Sequence, residues 1–163
     1  MSSIKQAGIV VSLTMVLCGV AYPLALTVTG QALFPSQAEG SLIERDGEQI
    51  GSKWIAQPFV SEGYFHGRPT AVDQLTGQSG GDNMAESNPD RPKHNPKLPG
   101  AIETSGSGLD PHISIEHAMS QVKRISETRS LDESEVERII RETADGESYV
   151  NVLMMNLSLD ELG

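Results

Sequence analysis

From Gln6 to Ala38 the chain carries no charged side chain, and from Ala7 to Phe34 it is predominantly apolar. A helix crossing the roughly 30 Å hydrocarbon core of a bilayer needs about 20 such residues. A lone segment in lipid can satisfy its backbone polar groups only as a helix. This stretch therefore predicts a membrane-crossing helix over 7–34, a short stub at 1–6, and one soluble domain over 35–163. The competing reading is a cleaved secretory signal, with Lys5 as its basic flank, Gly8–Leu17 as its apolar region and Gly19-Val20-Ala21 as a small-x-small cleavage site. Signal regions span about 7–15 residues, whereas this run continues through Leu24-Ala25-Leu26-Thr27-Val28, which favours a retained helix. The bulky Met15-Val16-Leu17 before Cys18 disfavours a lipoprotein signal. Pro23 removes one intrahelical hydrogen bond and predicts a kink or break. Gly19, Thr27, Thr29 and Gly30 either suit close packing against a partner's helices or are ordinary parts of a lone anchor.

The formal charge of the 163 residues is −10, and Lys5 is the only charge ahead of Glu39, so the part beyond the anchor stands at −11. Such a surface repels polyanions and excludes nucleic-acid binding. With Lys5 before the helix and Glu39, Glu44, Arg45 and Asp46 after it, the positive-inside rule favours the N-terminus in the cytoplasm and the domain outside a single-pass cell-membrane anchor. Cys18, the sole cysteine, lies within the span, so the domain has neither a disulfide nor a thiol nucleophile.

Beyond the anchor, Asp46-Gly47 between two short runs predicts a type I′ hairpin, with Leu42, Ile50 and Ile55 facing a core and Gly51 at a bulge. Trp54 reads as a core or edge packing residue. Tyr64-Phe65-His66-Gly67-Arg68-Pro69 gathers two rings, a histidine and an arginine. It is either a site or a strand end whose rings pack inward while Arg68 stays solvated. The stretch 76–99, rich in Gly, Ser, Asn and Pro, reads as a long loop. Within it Ser79-Gly80-Gly81-Asp82-Asn83 offers backbone N–H groups of the kind that cradle anions, although Asp82 opposes an anion there. Ser114 predicts an N-cap, followed by a helix whose face is Ile115, Ala118, Met119, Val122 and Ile125. Ser130-Leu131-Asp132-Glu133 reads as the capping box of a second helix burying Val136, Ile139 and Ile140 and ending at Asp145-Gly146. Tyr149–Met154 reads as a buried strand, and the Met-rich run from Leu153 to Leu159 as core. The fold class is α+β: a hairpin, further short strands, a long loop and two helices against the sheet.

Chemical motifs are sparse. The histidines are His66, His94, His112 and His117. The last two, five residues apart around Glu116, match neither zinc-helix pattern, and no metal site is predicted. Ser107 lacks the spacing of a nucleophile elbow, there is no Walker A sequence, and one span cannot build a channel. No catalytic residue is predicted. An acid–base pair of His and Asp would nevertheless fit a membrane-anchored extracytoplasmic hydrolase, which is the alternative from another class.

Read together, several stretches resemble one family: Tyr22-Pro23-Leu24; Phe34-Pro35; Gly40-Ser41-Leu42-Ile43; Gly51-Ser52 with Ile55-x-Gln57; Tyr64 to Pro69; Ser79-Gly80-Gly81-x-Asn83; Ser87-Asn88-Pro89; Ser105-Gly106-Ser107-Gly108-Leu109-Asp110-Pro111-His112-Ile113-Ser114; and Val150-Asn151-Val152-Leu153. In this order they are similar to the C subunit of the Kdp-type potassium-transporting ATPase of bacteria and archaea. The resemblance implies a non-catalytic accessory subunit of a high-affinity potassium-uptake complex, needed for assembly and activity. The implied partners are a P-type ATPase subunit, a channel-like potassium-binding subunit, a small single-span subunit and the lipid bilayer. It implies no cofactor of the chain's own, with ATP and K+ acting at the level of the complex. It also implies a catalytic-chaperone role that raises the ATP affinity of the P-type subunit, attributed in part to Ser79, Gly80, Gly81 and Asn83. This chain departs from the family pattern there, with Asp82, Met84 and Ala85 where relatives more often carry serine, leucine and glycine. It is also shorter between Asp145 and Tyr149. A domain outside the membrane never meets cytoplasmic ATP, so the loop and the topology point in different directions. Asp110, His112, His66 and Arg68 are the expected partner contacts, or else an internal polar network that fixes loop to helix.

Overall fold

A computed structural model describes residues 3–85, 87–89 and 104–162. His94 and the 90–99 part of the expected loop lie outside the described residues. The chain forms two compact units, Met1–Ile50 and Gly51–Gly163.

The first unit opens with α1 (Ser3–Val16), passes through a π-helical turn at Leu17–Ala21 and continues as α2 (Tyr22–Leu33). Together they make one 31-residue apolar helix, long enough to cross a bilayer, with no residue buried by the rest of the chain. The helix does not break at Pro23. A proline ring collides with the carbonyl four residues back and offers no N–H. A single wide turn ahead of it relieves both problems, and the Tyr22 N–H reaches the Leu17 carbonyl five residues back. The Pro23 carbonyl in turn accepts from Thr27 Oγ1 at 2.9 Å. Phe34 leaves helical geometry and α3 (Pro35–Ala38) adds one turn. The hairpin forms as expected, β1 (Leu42–Arg45) pairing with β2 (Glu48–Ser52), and Asp46 and Gly47 both take the positive φ that a type I′ turn requires. Leu42 is exposed rather than core-facing, as is Ile55 beyond the ribbon, because a two-stranded ribbon has no second layer of its own to close over its apolar side chains. Ile50 is half-buried.

In the second unit β3 (His112–Ser114) pairs antiparallel with β4 (Tyr149–Asn151), in the register His112 to Asn151 and Ser114 to Tyr149. Ser114 caps α4 (Ile115–Arg129) by accepting from the His117 N–H, as its sequence predicts, and Ala118, Val122 and Ile125 are buried. The expected capping box is displaced. Ser130 takes the left-handed conformation that ends α4, and Asp132 caps α5 (Glu133–Ala144) by accepting from Ser134 N at 2.9 Å. The reversal between the helices needs one residue in that conformation, so the serine terminates one helix and the carboxylate starts the next. Asp145 and Gly146, both with positive φ, close α5. The strand expected over Tyr149–Met154 stops at Asn151, whose Oδ1 accepts from Met154 N at 3.2 Å and starts α6 (Val152–Asp160). Its only partner among the described residues, β3, is three residues long, and the leucines and methionines that follow favour helix. Three helices therefore pack with this short ribbon. The core holds Phe65, Ile113, Ile125, Ile140, Met155 and Leu159, so the Met-rich run is core as expected.

Candidate functional site

Between Lys53 and Ala85 the chain has no helix or strand except one 3₁₀ turn at Gln74–Thr76. Its backbone groups need partners, and side chains of the helices supply them. Asn156 of α6 accepts from Phe65 N (2.8 Å) and donates to Phe65 O (3.0 Å), and Gln121 of α4 does the same for His66 (2.8 and 3.1 Å). Two amide side chains thus stand in for neighbouring strands at consecutive residues. Arg124 donates to the carbonyls of Glu62 and Tyr64 and to Gln121 Oε1. Arg129 holds the Gly63 carbonyl (2.6 Å) and Asp160 (2.8 Å), with its guanidinium 4.5 Å from the Tyr64 ring. Tyr64 also donates to Asp160 at 2.9 Å. These straps present Tyr64–Pro69 as a loop, with Phe65 fully buried.

Three of the four expected contact residues meet. Arg68 pairs with Asp110 through its Nη2, and Asp110 Oδ1 bonds the His112 backbone N–H (3.0 Å) and ring Nδ1 (2.9 Å). Burial by itself would raise the Asp110 carboxyl, but the two bonds from His112 together with the Arg68 charge hold it below the usual carboxylate range. His66 is not part of this group; its Nε2 lies 2.9 Å from the Ser61 carbonyl. Such an Asp–His pair can fix a tautomer. Among the described residues, however, no hydroxyl is hydrogen-bonded to the other ring nitrogen of His112, and no three of His, Cys, Asp and Glu are placed to hold a metal ion.

The trio borders a cleft of about 950 Å³ whose walls include Lys53, Trp54, Glu142, Tyr149 and Met154. Trp54 is 56 % exposed and Tyr149 62 %, so of the two readings for Trp54 the structure gives the edge, not the core. It leans on His112 with centroids 6.0 Å apart and carries the Lys53 ammonium 5.4 Å from its ring. Its position is set by Asn151, which opposes His112 in the ribbon and donates to the Lys53 carbonyl at 2.7 Å. Exposed rings beside a polar network suit recognition of another surface.

Ser79–Asn83 runs along the Ser105–Gly108 turn. The Gly80 N–H is taken by the Ser107 carbonyl (2.9 Å), so it is not among free donors for an anion. Asp82 accepts from Thr104 Oγ1 (3.0 Å) and Met84 N (3.2 Å), and Asn83 Nδ2 donates to the Gly81 carbonyl at 3.2 Å. Gly108 has φ +73°, and a Cβ there would come 2.9 Å from the Gly80 carbonyl and against Val72. The glycines of both stretches are what lets the two turns approach. Ser105 N bonds the Pro69 carbonyl (3.1 Å), Leu109 O accepts from Ala56 N (2.8 Å), and Pro111 O accepts from Val152 N (2.9 Å). Tyr22 and Pro23 lie in the long helix, in the other unit. Sequence reasoning missed Gln121, Arg124, Arg129 and Asn156. The available signal was an amide on the apolar face of each of two helices.

Fold and site together define a chain with one membrane-length helix and an α+β domain whose irregular stretch is tied to its helices by side chains. Its sequence matches the model of the family described as KdpC, the K+-transporting ATPase c chain, over residues 4–161. It is 40% identical to the potassium-transporting ATPase KdpC subunit 2 of Staphylococcus aureus strain Mu50, across 99% of this chain and all of the relative. The KdpC subunit of Staphylococcus haemolyticus strain JCSC1435 is equally similar, with the same coverage. The chain belongs to the KdpC family of potassium-transporting ATPase subunits.

Proposed function

We propose that the chain is a non-catalytic accessory subunit of an ATP-driven, high-affinity potassium-uptake complex, needed for its assembly and activity. Its partners are the P-type ATPase subunit, the channel-like potassium-binding subunit and the small single-span subunit, with ATP and K+ acting in the complex. The match to the family over nearly the whole chain carries this reading. The exposed rings of the cleft support it by offering a docking surface. The helix anchors the subunit in the cell membrane as a single pass, N-terminus in the cytoplasm and domain outside, which the charge balance around the helix supports. In this arrangement any effect on ATP affinity travels through contacts between subunits, not through nucleotide held at Ser79–Asn83.

Mild-detergent purification of the tagged chain from potassium-starved cells tests the assignment. The expected result is a P-type ATPase and a polytopic potassium subunit recovered in fixed ratio. Recovery of the chain alone from cells that express both would contradict it. Protease added to intact spheroplasts is expected to digest the domain; full protection would place it in the cytoplasm instead.

A further inference from the structure

A second, smaller cavity of about 250 Å³ lies between the strapped loop and α4, lined by His66, Gly67, Arg68, His117, Gln121 and Arg124, with Pro69 at its edge. That is several times the ~30 Å³ share of one water. In a domain that stands at −11, its wall has two arginines, two histidines and an amide, and no carboxylate. Glu62, 3.6 Å from Arg124, and Asp110, on Arg68, balance those charges without lining the space. Among the described residues the only buried side-chain N or O atoms without a partner are Arg68 Nε and His117 Nδ1. Both residues line this cavity, and His117 is only 2 % exposed. A buried nitrogen without a partner is costly unless another group reaches it.

We propose that this cavity is a small-oxyanion site, which takes sulfate or phosphate against Arg68 and His117. Arg68 uses Nη2 on Asp110 and keeps Nε for the anion, and seating the anion asks the two side chains to turn those nitrogens toward the cavity they already line. Burial, and then the neighbouring His66, lower the His117 imidazole from its ordinary range and favour its neutral form. Arg68 and Arg124 line the same cavity and favour an anion, while Asp110 and Glu62, paired with them, stand outside its lining. An oxyanion supplies the opposite charge that lets His117 keep a proton. Binding therefore takes up a proton and tightens on acidification.

The test is histidine-ring NMR on the full-length protein in detergent, titrating sulfate against chloride at matched ionic strength. The expected result is a saturable shift of the His117 resonances, with affinity rising up to about tenfold for each pH unit of acidification through the His117 transition. His117→Gln removes the pH dependence. Should that variant fail to fold, Gly67→Val serves, because a Cβ there meets no heavy atom within 4 Å; it is expected to weaken sulfate binding at least tenfold while the domain stays folded. Nanodiscs of phosphatidylglycerol without sulfate identify the source of the anion: the same shift assigns the site to a lipid phosphate, and its absence beside an intact sulfate response assigns it to a free anion. A His117 response to sulfate no larger than to chloride, or one that Gly67→Val leaves unchanged, overturns the proposal.

Discussion

The stretch from Lys53 to Ala85 and the stretch from His112 to Leu162 belong to one unit and are held by different physics. The second is helices and a short ribbon whose apolar faces close on one another. The first has almost no regular structure and is tied down by side chains reaching from the second, most of them to its backbone. Burial is non-directional and tolerates adjustment. A strap works only if donor and acceptor meet at hydrogen-bond distance. The helical stretch is therefore expected to be the stable scaffold, and the loop stretch the exact but conditional part, which adds Lys53, Trp54 and Arg68 to a cleft whose other wall is helical-stretch residues.

Phe65 joins the two, its backbone strapped and its ring in the core. Phe65→Ala is expected to cost about 4 kcal/mol of unfolding free energy, measured by urea denaturation, with both stretches unfolding together. Asn156→Leu keeps an apolar side chain in the core but leaves the Phe65 N–H and C=O unpaired, at a cost of about 3 kcal/mol. Hydrogen exchange should then accelerate first in residues 62–69. Acceleration spread evenly over α4 and α5 would erase the distinction between the two stretches.

A smaller effect follows from His117. Its pKa is lowered in the folded state, by burial first, so in the absence of a bound anion the unfolded chain takes up the proton at higher pH than the folded one. Stability from this group is fully present above the ordinary value of 6.5 and is lost as pH falls through the folded value. Denaturation midpoints should decline on acidification below 6.5, and less so in His117→Gln. Ser114→Ala removes the cap of α4 and should cost about 1 kcal/mol, spread over the helical stretch without selective release of the loop.

How much of this could be read beforehand divides along the same line. The apolar faces of α4 and α5, the Ser114 cap and the Asp46-Gly47 turn follow from local spacing and local chemistry. Arg68, Asp110, His112 and His66 stand in two conspicuous motifs that read equally as partner contacts or as a polar network; three of them meet, and His66 turns to the Ser61 carbonyl instead. α6 was hidden because Val150-Asn151-Val152 has strand character until Asn151 acts as a cap. The straps join residues as far as 98 positions apart, and no periodicity reports a partner at that distance. Trp54 reads as core or edge from its type alone, and its exposure together with its contact on His112 puts it at the edge.

The most direct test of the account is a pair of changes on the cleft wall, Trp54→Asp with Tyr149→Asp, in the tagged full-length chain. Both side chains are more exposed than buried, so the variant is expected to fold and to insert like the parent. Purified in mild detergent from potassium-starved cells, it should arrive without the P-type and potassium-binding subunits that the parent is expected to retain. Full recovery of those subunits with the variant would contradict the claim that this cleft is the docking surface.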